Sequence, residues 1–449
     1  MPFQQAKFDQ YERPFDTLEL LYRSIAATGV HFQKEQYLIS SVIRLEREPS
    51  MTCLQQSWKV LRYQHPQIAS EPNKTGTRLV YTVPSLEALE KWLQNTLVLH
   101  ANETRPAESL DEDLLPSSLF TLHYLPLSRE LLFRTPHWRT DGRGMILIQR
   151  DFLTLLAQGP QPALEFDGSE FSRIPPSLDE AVGISLEITD EMKRATETEL
   201  SVLTIGPEPA SIIQTLPNTR PKNSCRLSTR LSKDLTQRLV AASKVRGLTV
   251  TTAVQAALIV AVRPYMVPLH GRLVCFNTFD IRNCIPAPWS GSQGATALYH
   301  TGRPCSIDLS INENYDAIAA MLALHYQRDL QPLFKIMPYY VQSIGALLAT
   351  SLEVAIRAPG AAHPELSSLG VIDDQLPTTY PGPETTLNIE DWWLGVQITN
   401  RVLQTYLWTR EGQLHLTCHF NEAFYERNFV EKLLEEWKSK LVGELVPCG

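Results

Sequence analysis

The sequence predicts an α/β protein made of two lobes of about equal size. Three observations support this. A chain of 449 residues can hold two or three domains at roughly 150 residues each. Strand-like and helix-like patterns alternate over residues 1–100. A segment rich in proline and lacking periodicity, 206–224, divides the chain near its middle. We therefore predict an N-terminal lobe over 1–205, a linker over 206–224 and a C-terminal lobe over 225–449.

The first lobe is predicted from hydrophobic periodicity. Runs of β-branched or alternating apolar residues indicate strands, apolar residues three and four apart indicate helices, and a Pro-Leu-Ser-Arg turn between two strands indicates a hairpin. In chain order these patterns predict a strand at 37–45, a helix at 50–69, a strand at 77–83, a hairpin of 120–126 with 130–135, and a helix at 145–156.

The second lobe begins with a strand at 225–231, followed by a helix with Ser232 as its N-cap and Gly247 at its end. A strongly apolar helix is predicted at 250–264. Near the C-terminus, strands 402–408 and 414–420 flank an Arg-Glu-Gly turn, and a final helix buries apolar residues between Phe429 and Leu441.

Composition and charge exclude several classes of protein. The chain is 43% hydrophobic and 20% charged, which is typical of a packed globular protein. Its net charge of -8 has the wrong sign for a surface that follows nucleic-acid phosphates. We expect no nucleic-acid partner.

The sequence also predicts a cytoplasmic location. Residues 1–25 lack the basic start and apolar stretch of a secretory signal, and the longest apolar window, 253–262, is far below the roughly 20 residues of a membrane span. The 7 cysteines contain no CxxC pair. We therefore expect reduced thiols, no disulfides, no structural zinc and no membrane association.

The most informative segment is 136–144, PHWRTDGRG, on a predicted connection between a strand and a helix. Chemistry concentrates on loops held by rigid elements. A histidine there, His137, has a side chain suited to removing a proton from an attacking alcohol. Asp141 could hold the loop or orient the ring, and Gly142 would permit a conformation or a close approach that a Cβ forbids. From the spacing alone, an ordinary loop histidine is the more frequent explanation.

The segment HWRTDG resembles the HxxxDG signature of the chloramphenicol-acetyltransferase-like acyltransferases, which include condensation domains of peptide synthetases, plant BAHD enzymes and trichothecene acetyltransferases. His65-Pro66 is similar to the first-helix HP of that superfamily, and FNTFDIR, ending at Arg282, resembles its DxR-type strand. SSLGVI, from Ser367, resembles its Ser-Asn-x-Gly segment with Ser368 in place of Asn. The DFGWG motif of the plant branch is absent, which favours the trichothecene-type fungal enzymes.

The resemblance implies a fold and a set of roles. The fold would be two chloramphenicol-acetyltransferase-like α/β sandwich lobes in a pseudo-dimer, facing each other across a central tunnel with His137 in its middle. His137 would be the general base. Asp141 would point away from the substrate and pair with Arg282, with Asp280 as a further member and Gly142 as structural support. Ser367, Ser368 and Gly370 are candidate oxyanion or tunnel residues, although a simple turn explains them equally well.

The implied function is acyl-CoA-dependent O-acyl transfer, with acetyl as the expected group, to a hydroxyl of a small metabolite in fungal specialised metabolism. Transfer would be direct, through a tetrahedral intermediate that expels coenzyme A. Acyl-CoA would act as a co-substrate and no cofactor would be bound permanently. A monomer is expected.

Three other patterns have simpler explanations. Gly142 and Gly144 begin a dinucleotide-type GxG, but the sixth position is Leu147 rather than glycine. The histidines of HLTCHF, 415 and 419, would lie on the face of a strand opposite the intervening cysteine, which disfavours a metal site. The aromatic residues Tyr339, Tyr340, Trp392 and Trp393 are candidates for an acceptor pocket, with core packing as the more frequent alternative.

Two alternative functions share this fold. One is a free-standing condensation enzyme that takes its acyl group from a carrier protein and joins it to an amine or alcohol. The other is a cyclase or binding protein in which acyl transfer has been lost. His137 and Asp141 argue against loss of activity but do not exclude a new use.

Overall fold

The computed structural model describes residues 2–162, 164–218, 220–355, 362–383 and 386–446, with side chains described outside 348–361. It divides into two compact units, each assembled from separate stretches of the chain. The first contains 1–186, 280–300 and 374–396. The second contains 187–279, 301–373 and 397–449.

The helices and strands have the following bounds. The helices are α1 Thr17–Ala27, α2 Met51–Gln64, α3 Leu86–Thr96, α4 Ala107–Asp113, α5 Gly142–Ala157, α6 Leu178–Ala181, α7 Asp190–Leu200, α8 Lys233–Val245, α9 Val250–Val262, α10 Tyr315–Tyr326, α11 Gln331–Ala355 and α12 Arg427–Leu445. The strands are β1 Gln4–Lys7, β2 Gln10–Pro14, β3 Ile39–Leu45, β4 Glu71–Pro72, β5 Arg78–Thr82, β6 Leu97–Leu99, β7 Thr121–Leu125, β8 Glu130–Thr135, β9 Ser211–Ile212, β10 Ser224–Arg230, β11 Met266–Val267, β12 Arg272–Asp280, β13 His300–Asp308, β14 Pro364–Val371, β15 Thr379–Tyr380, β16 Leu387–Val396, β17 Leu403–Arg410 and β18 Gln413–Asn421.

The first unit is built on a six-stranded mixed sheet in the order β15-β16-β3-β8-β7-β6. Strands β7 and β8 form the predicted antiparallel hairpin, and β3 pairs antiparallel with β8. Helix α5 is fixed on this sheet by aromatic packing, since the Phe152 ring lies 5.5 Å from that of Phe133 on β8 and 5.8 Å from that of Trp58 on α2. A smaller sheet, β1-β2-β5-β4, completes the unit.

The second unit contains the sheet β10-β18-β17-β14, in which β17 and β18 are the predicted C-terminal hairpin. The apolar helix α9 is buried along most of its length and packs against α10 and α12. Trp437 on α12 donates its indole N–H to the carbonyl of Val254 at 2.9 Å. This window is therefore a core helix, as its composition predicts.

No single helix in the described part of the chain has the length and hydrophobicity of a membrane span. The helices at 233–245 and 250–265 have this length and hydrophobicity only when they are taken together, and the angle between them is 99°.

The compact units have different bounds from the lobes that the sequence predicts. Two stretches of the C-terminal half, 280–300 and 374–396, belong to the first unit, and 187–205 belongs to the second. Strand β16 explains one of these differences, because it pairs with β3 over most of its length.

The predicted linker at 206–224 is also partly ordered into the second unit. Strand β9 pairs with β11, and the Arg272 side chain donates hydrogen bonds to the carbonyls of Leu203 and Pro207, both at 2.6 Å. A segment without periodicity can still be structured, because pairing with distant strands leaves no local pattern.

Candidate active site

The segment carrying the histidine motif connects β8 to α5 in the first unit. His137–Arg139 forms one turn of 3-10 helix, and Asp141 is the N-cap of α5, accepting a hydrogen bond from the backbone N–H of Gly144 at 2.8 Å. The loop is therefore short and is fixed at its end by a helix cap.

The two residues after the histidine hold this loop in place. The Trp138 ring is buried and packs edge-on against Phe15, with ring centroids 5.6 Å apart. Arg139 is also buried and donates to the backbone carbonyls of Ser70 at 2.6 Å and Ser118 at 2.8 Å. Side chains on either side of the loop thus fix its backbone, which limits the positions open to His137.

The His137 ring is half-buried and is stacked on Tyr22 of α1, with centroids 3.9 Å apart and ring planes at 7°. Its Nδ1 atom is buried and has no hydrogen-bond partner on another residue of the described chain. Its Nε2 atom is not among the buried ring nitrogens and makes no hydrogen bond to any residue that the structure describes. Nε2 is therefore the atom available to a substrate.

Burial, and then the neighbouring His300, lower the pKa of His137 to about 3. The loop's own backbone and Asp141 oppose this shift but do not outweigh it. His137 is consequently neutral at neutral pH, which is the protonation state that a general base requires.

A second histidine, His300, lies beside the first. Its ring centroid is 5.8 Å from that of His137, at 60°, and 5.4 Å from that of Tyr22. Both ring nitrogens of His300 are buried without a hydrogen-bond partner among the described residues. Burial lowers the pKa of His300 as well. We refer to Tyr22, His137 and His300 as the ring cluster.

Both oxygens of the Asp141 carboxylate accept hydrogen bonds, and among the described residues none of the donors belongs to the ring cluster. Besides the helix cap through Oδ1, its Oδ2 accepts from Arg282 Nη1 at 3.0 Å and from the backbone N–H of Tyr299 at 2.9 Å. Burial alone would raise the pKa of Asp141, but the guanidinium of Arg282 and the other donors outweigh it and lower that pKa. The predicted pair of Asp141 and Arg282 is thus present as a buried ion pair.

Arg282 also bonds Asp280, whose Oδ1 lies 3.1 Å from Nη1 and accepts from the Arg282 backbone N–H at 3.2 Å. The Nε and Nη2 atoms of Arg282 are buried without a hydrogen-bond partner among the described residues, and the guanidinium lies 5.6 Å from the centroid of the Tyr299 ring. Burial would lower the pKa of Arg282, but Asp141 and Asp280 raise it. We refer to Asp141, Arg282, Asp280 and Tyr299 as the ion-pair cluster.

The segment 280–300 is anchored to α5 at further points. The Thr140 hydroxyl donates to the carbonyl of Ala295 at 2.6 Å. Further along α5, Asp151 accepts from Ser292 and bonds His65 Nε2 at 2.9 Å. The histidine of the HP motif therefore supports the segment that carries Arg282, rather than facing the ring cluster.

The structure shows a steric requirement for glycine at Gly144, and the supporting role of Gly142 stays a prediction. Gly142 begins α5 without a positive φ, so it does not use the left-handed conformation that glycine favours. A Cβ on Gly144, in contrast, would overlap the carbonyl oxygen of Ala295 and Oγ1 of Thr140. The close approach that the sequence predicts thus exists, two residues later in the chain.

The candidate oxyanion residues lie in the second unit, on β14. The Ser368 hydroxyl lies 2.8 Å from that of Thr251 on α9, and Gly370 has a φ of 70° at a β-bulge opposite β17. Ser367 pairs with Tyr406 within the same sheet. Their part in catalysis stays a prediction.

The four aromatic candidates for an acceptor pocket are divided between the units. In the first unit, Trp392 is buried and donates its indole N–H to Gln149 at 2.8 Å, and Trp393 next to it is also buried. In the second unit, Tyr340 is buried and donates to the carbonyl of Gly302 at 2.8 Å, whereas Tyr339 is half-buried. Trp392 and Tyr340 have the contacts of core residues.

Sequence reasoning missed Tyr22, His300 and the steric role of Gly144. Tyr22 and His300 carry no local signal, since only the fold brings them to His137. Gly144 was visible as the second glycine of the GxG. Among the described residues, no group of three His, Cys, Asp or Glu side chains is placed to hold a metal ion.

Comparisons with known proteins identify relatives and solved structures to which this chain is similar. The acetyltransferase pigO of Monascus ruber is 27% identical over 99% of this chain and 98% of its own length. The O-acetyltransferase pigM of the same organism is 27% identical over 99% of this chain and 87% of its own. The trichothecene 15-O-acetyltransferase TRI3 of Fusarium sporotrichioides superposes with a TM-score of 0.83 at 15% identity, covering 99% of this chain and 97% of its own.

No family model matches the chain. The relatives nevertheless confirm the resemblance to acyltransferases of the chloramphenicol-acetyltransferase-like superfamily, and the structural similarity confirms the two-lobe α/β fold. The chain is an acyltransferase related to enzymes of fungal specialised metabolism.

Proposed function

We propose that this acyltransferase moves an acetyl group from acetyl-CoA to a hydroxyl of a small specialised metabolite, with His137 as the general base. The observation that carries the proposal is the state of the His137 ring. It is neutral, stacked on Tyr22, and has an Nε2 atom that is accessible and unpaired within the described structure. The O-acetyltransferase pigM and the trichothecene 15-O-acetyltransferase TRI3 support a hydroxyl acceptor.

Each step requires one group. The acceptor hydroxyl donates its proton to His137 Nε2 as its oxygen attacks the thioester carbonyl carbon. The tetrahedral intermediate then expels the thiolate of coenzyme A, which takes the proton back from the imidazolium. The products are the acetyl ester and free coenzyme A, and no covalent bond to the enzyme forms. Asp141 acts through the loop, because its carboxylate is bonded to Arg282 and Tyr299 rather than to the ring.

The loop contributes by restricting His137 to one position. Trp138 and Arg139 fix the backbone next to it, and the ion pair of Asp141 fixes the start of α5. Orientation of this kind lowers the entropy cost of reaching the transition state. The need to hold this loop in one position explains why Asp141 and Arg282 form a buried ion pair, although in this mechanism neither contacts the reacting atoms.

Replacement of His137 by alanine tests the proposal. Purified enzyme is incubated with acetyl-CoA and a panel of hydroxylated acceptors that includes a trichothecene with a free 15-hydroxyl. Thiol release and the acetylated product are measured. Since a general base contributes about 10²- to 10⁴-fold, H137A should lose turnover by that factor while it stays folded.

The matched control is H100A, which removes a half-buried histidine of the same unit that stacks on His123 rather than on the ring cluster. Full turnover by folded H137A would contradict the role of His137. A parallel incubation with acetyl-loaded carrier protein identifies the donor. Transfer from the carrier protein alone, with none from acetyl-CoA, would contradict coenzyme A dependence.

A further inference from the structure

His300 is an unexplained polar group next to the proposed base. A neutral imidazole has one N–H donor and one acceptor nitrogen, and both of those of His300 are buried without a partner among the described residues. Leaving a buried polar atom unpaired costs about 1–3 kcal/mol. Such atoms require an explanation, and a substrate that supplies the missing hydrogen bond is one.

The distance between the two rings fits a shared oxygen. An oxygen that is hydrogen-bonded to an imidazole nitrogen lies about 4 Å from the ring centroid. Because the centroids of His137 and His300 are 5.8 Å apart, one oxygen can bond both rings with an angle of roughly 90° between them, close to tetrahedral. Two histidines can thus hold the reacting oxygen of an acceptor.

We propose that His300 donates a hydrogen bond to the same acceptor oxygen that His137 deprotonates, and that this contact makes the site selective for hydroxyl over amino acceptors. The proposal rests on the acyl-transfer function above and specifies its substrate class.

The selectivity for alcohols over amines follows from the number of lone pairs on the attacking atom. A hydroxyl oxygen has one proton to give and two lone pairs. Its proton goes to His137, one lone pair accepts from His300, and the other attacks the thioester carbon. A primary amine has a single lone pair, which cannot both accept from His300 and attack. When His300 carries its proton on the facing nitrogen, an attacking amine therefore leaves that N–H unpaired, at a cost of about 1–3 kcal/mol, or about 5- to 150-fold in rate.

The surroundings of His300 keep it in the required state. The neutral tautomer with its proton on the nitrogen that faces the acceptor supplies the donor, and burial lowers the pKa of His300, so that the ring does not carry a charge at neutral pH. Among its neighbours, Asp141 and Asp280 favour the charged ring and Arg282 opposes it. Tyr22 lies edge-on to the ring and limits its movement.

Two variants separate hydrogen bonding from shape. H300F keeps a flat ring but removes both nitrogens, and H300Q keeps a neutral N–H donor. The wild-type enzyme and both variants are assayed with acetyl-CoA and the pairs 2-phenylethanol with 2-phenylethylamine and benzyl alcohol with benzylamine. The value measured is the ratio of kcat/KM for alcohol to that for amine at one pH, so that amine protonation cancels between variants.

In H300F we expect the alcohol-to-amine ratio to fall at least 10-fold through loss of alcohol transfer, and H300Q should restore part of it. The melting temperature of H300F should be unchanged or higher, because the change removes unpaired buried nitrogens. H100F, which replaces a histidine outside the ring cluster, should leave the ratio unchanged.

Equal losses with alcohol and amine in H300F would indicate a structural role and overturn the proposal, as would an unchanged ratio. A wild-type enzyme that prefers the amine of each pair would also overturn it. Thiol release from no acceptor at all, including the hydroxylated panel, would instead contradict the proposed function itself.

Discussion

The ion-pair cluster and the ring cluster begin four residues apart in the same loop, and the Asp141 carboxylate of the first differs from the histidines of the second in how its polar atoms are paired. Both oxygens of Asp141 have hydrogen-bond partners, supplied by Gly144, Arg282 and Tyr299. In the ring cluster, both ring nitrogens of His300 have none among the described residues. The paired carboxylate stabilises the fold, whereas the unpaired nitrogens are costly to the fold and suited to a substrate.

The largest effect on stability is expected from removing the charge of Asp141. In D141N, an amide N–H would face the Arg282 guanidinium and the Tyr299 N–H, which are both donors. Breaking a buried ion pair costs about 3–5 kcal/mol, and a shifted loop reduces turnover by up to about 100-fold. Thermal unfolding should therefore begin at a lower temperature, and kcat should fall at a temperature where the variant is folded.

The control for D141N is D111N, which breaks another ion pair of the first unit, between Asp111 and Arg134 at 2.6 Å. D111N should lower the melting temperature but leave kcat closer to that of the wild type. If D141N melts like the wild type, Asp141 does not have the stabilising role that distinguishes the two clusters.

A smaller effect is expected from a methyl group at Gly144. In G144A the new Cβ would meet the Ala295 carbonyl and the Thr140 hydroxyl, so that segment 280–300 must move away from α5. Overpacking of this kind costs about 1–3 kcal/mol. The displaced segment carries Arg282 and His300, and kcat should fall with stability.

G142A is the matched control for G144A, since Gly142 lies one position after the N-cap without a positive φ. The free energy of unfolding of G142A should stay within about 1 kcal/mol of that of the wild type, because alanine is favourable in a helix. Equal destabilisation by the two substitutions would show that the contact with Ala295 is not what requires glycine.

The sequence predicted the elements whose structure is determined by residues close to one another in the chain. The hairpin of β7 and β8, the N-cap of α8 and the buried helix α9 each have a periodic pattern or a capping residue of their own. The spacing from His137 to Asp141 is local too, and it identified the loop. Arg282, distant in sequence, was found only through resemblance to a family.

The sequence could not show which distant segments pair. Strand β16 joins the sheet of the first unit beside β3, although more than 300 residues separate them in the chain. Alternating hydrophobicity reports which face of a strand is buried, not its neighbour. For the same reason His300 and Tyr22 gave no signal, because their importance arises from contact with His137 alone. The linker predicted at 206–224 was chosen from the composition of that segment, whereas the compact units depend on which distant strands pair with one another.

The last prediction concerns the dependence of kcat/KM on pH, for which we expect almost no change. A flat profile distinguishes a buried base from an exposed one. Protonation of His137 abolishes its ability to accept a proton, so activity is lost as pH falls through its pKa. Because burial and His300 lower that pKa to about 3, kcat/KM, which reports the free enzyme, should be flat from pH 8 to pH 5. An enzyme whose base is a histidine with the ordinary pKa of about 6.5 would lose about 30-fold in kcat/KM over the same range.

The groups that face the His137 ring are consistent with a flat profile, since the pKa of His300 is lowered by burial and Asp141 is held ionised by Arg282. Circular dichroism at each pH confirms that the protein stays folded. An acid limb centred near pH 6.5 in folded enzyme would mean that water reaches His137 freely, and the unpaired nitrogens of the ring cluster would then be solvated rather than reserved for a substrate.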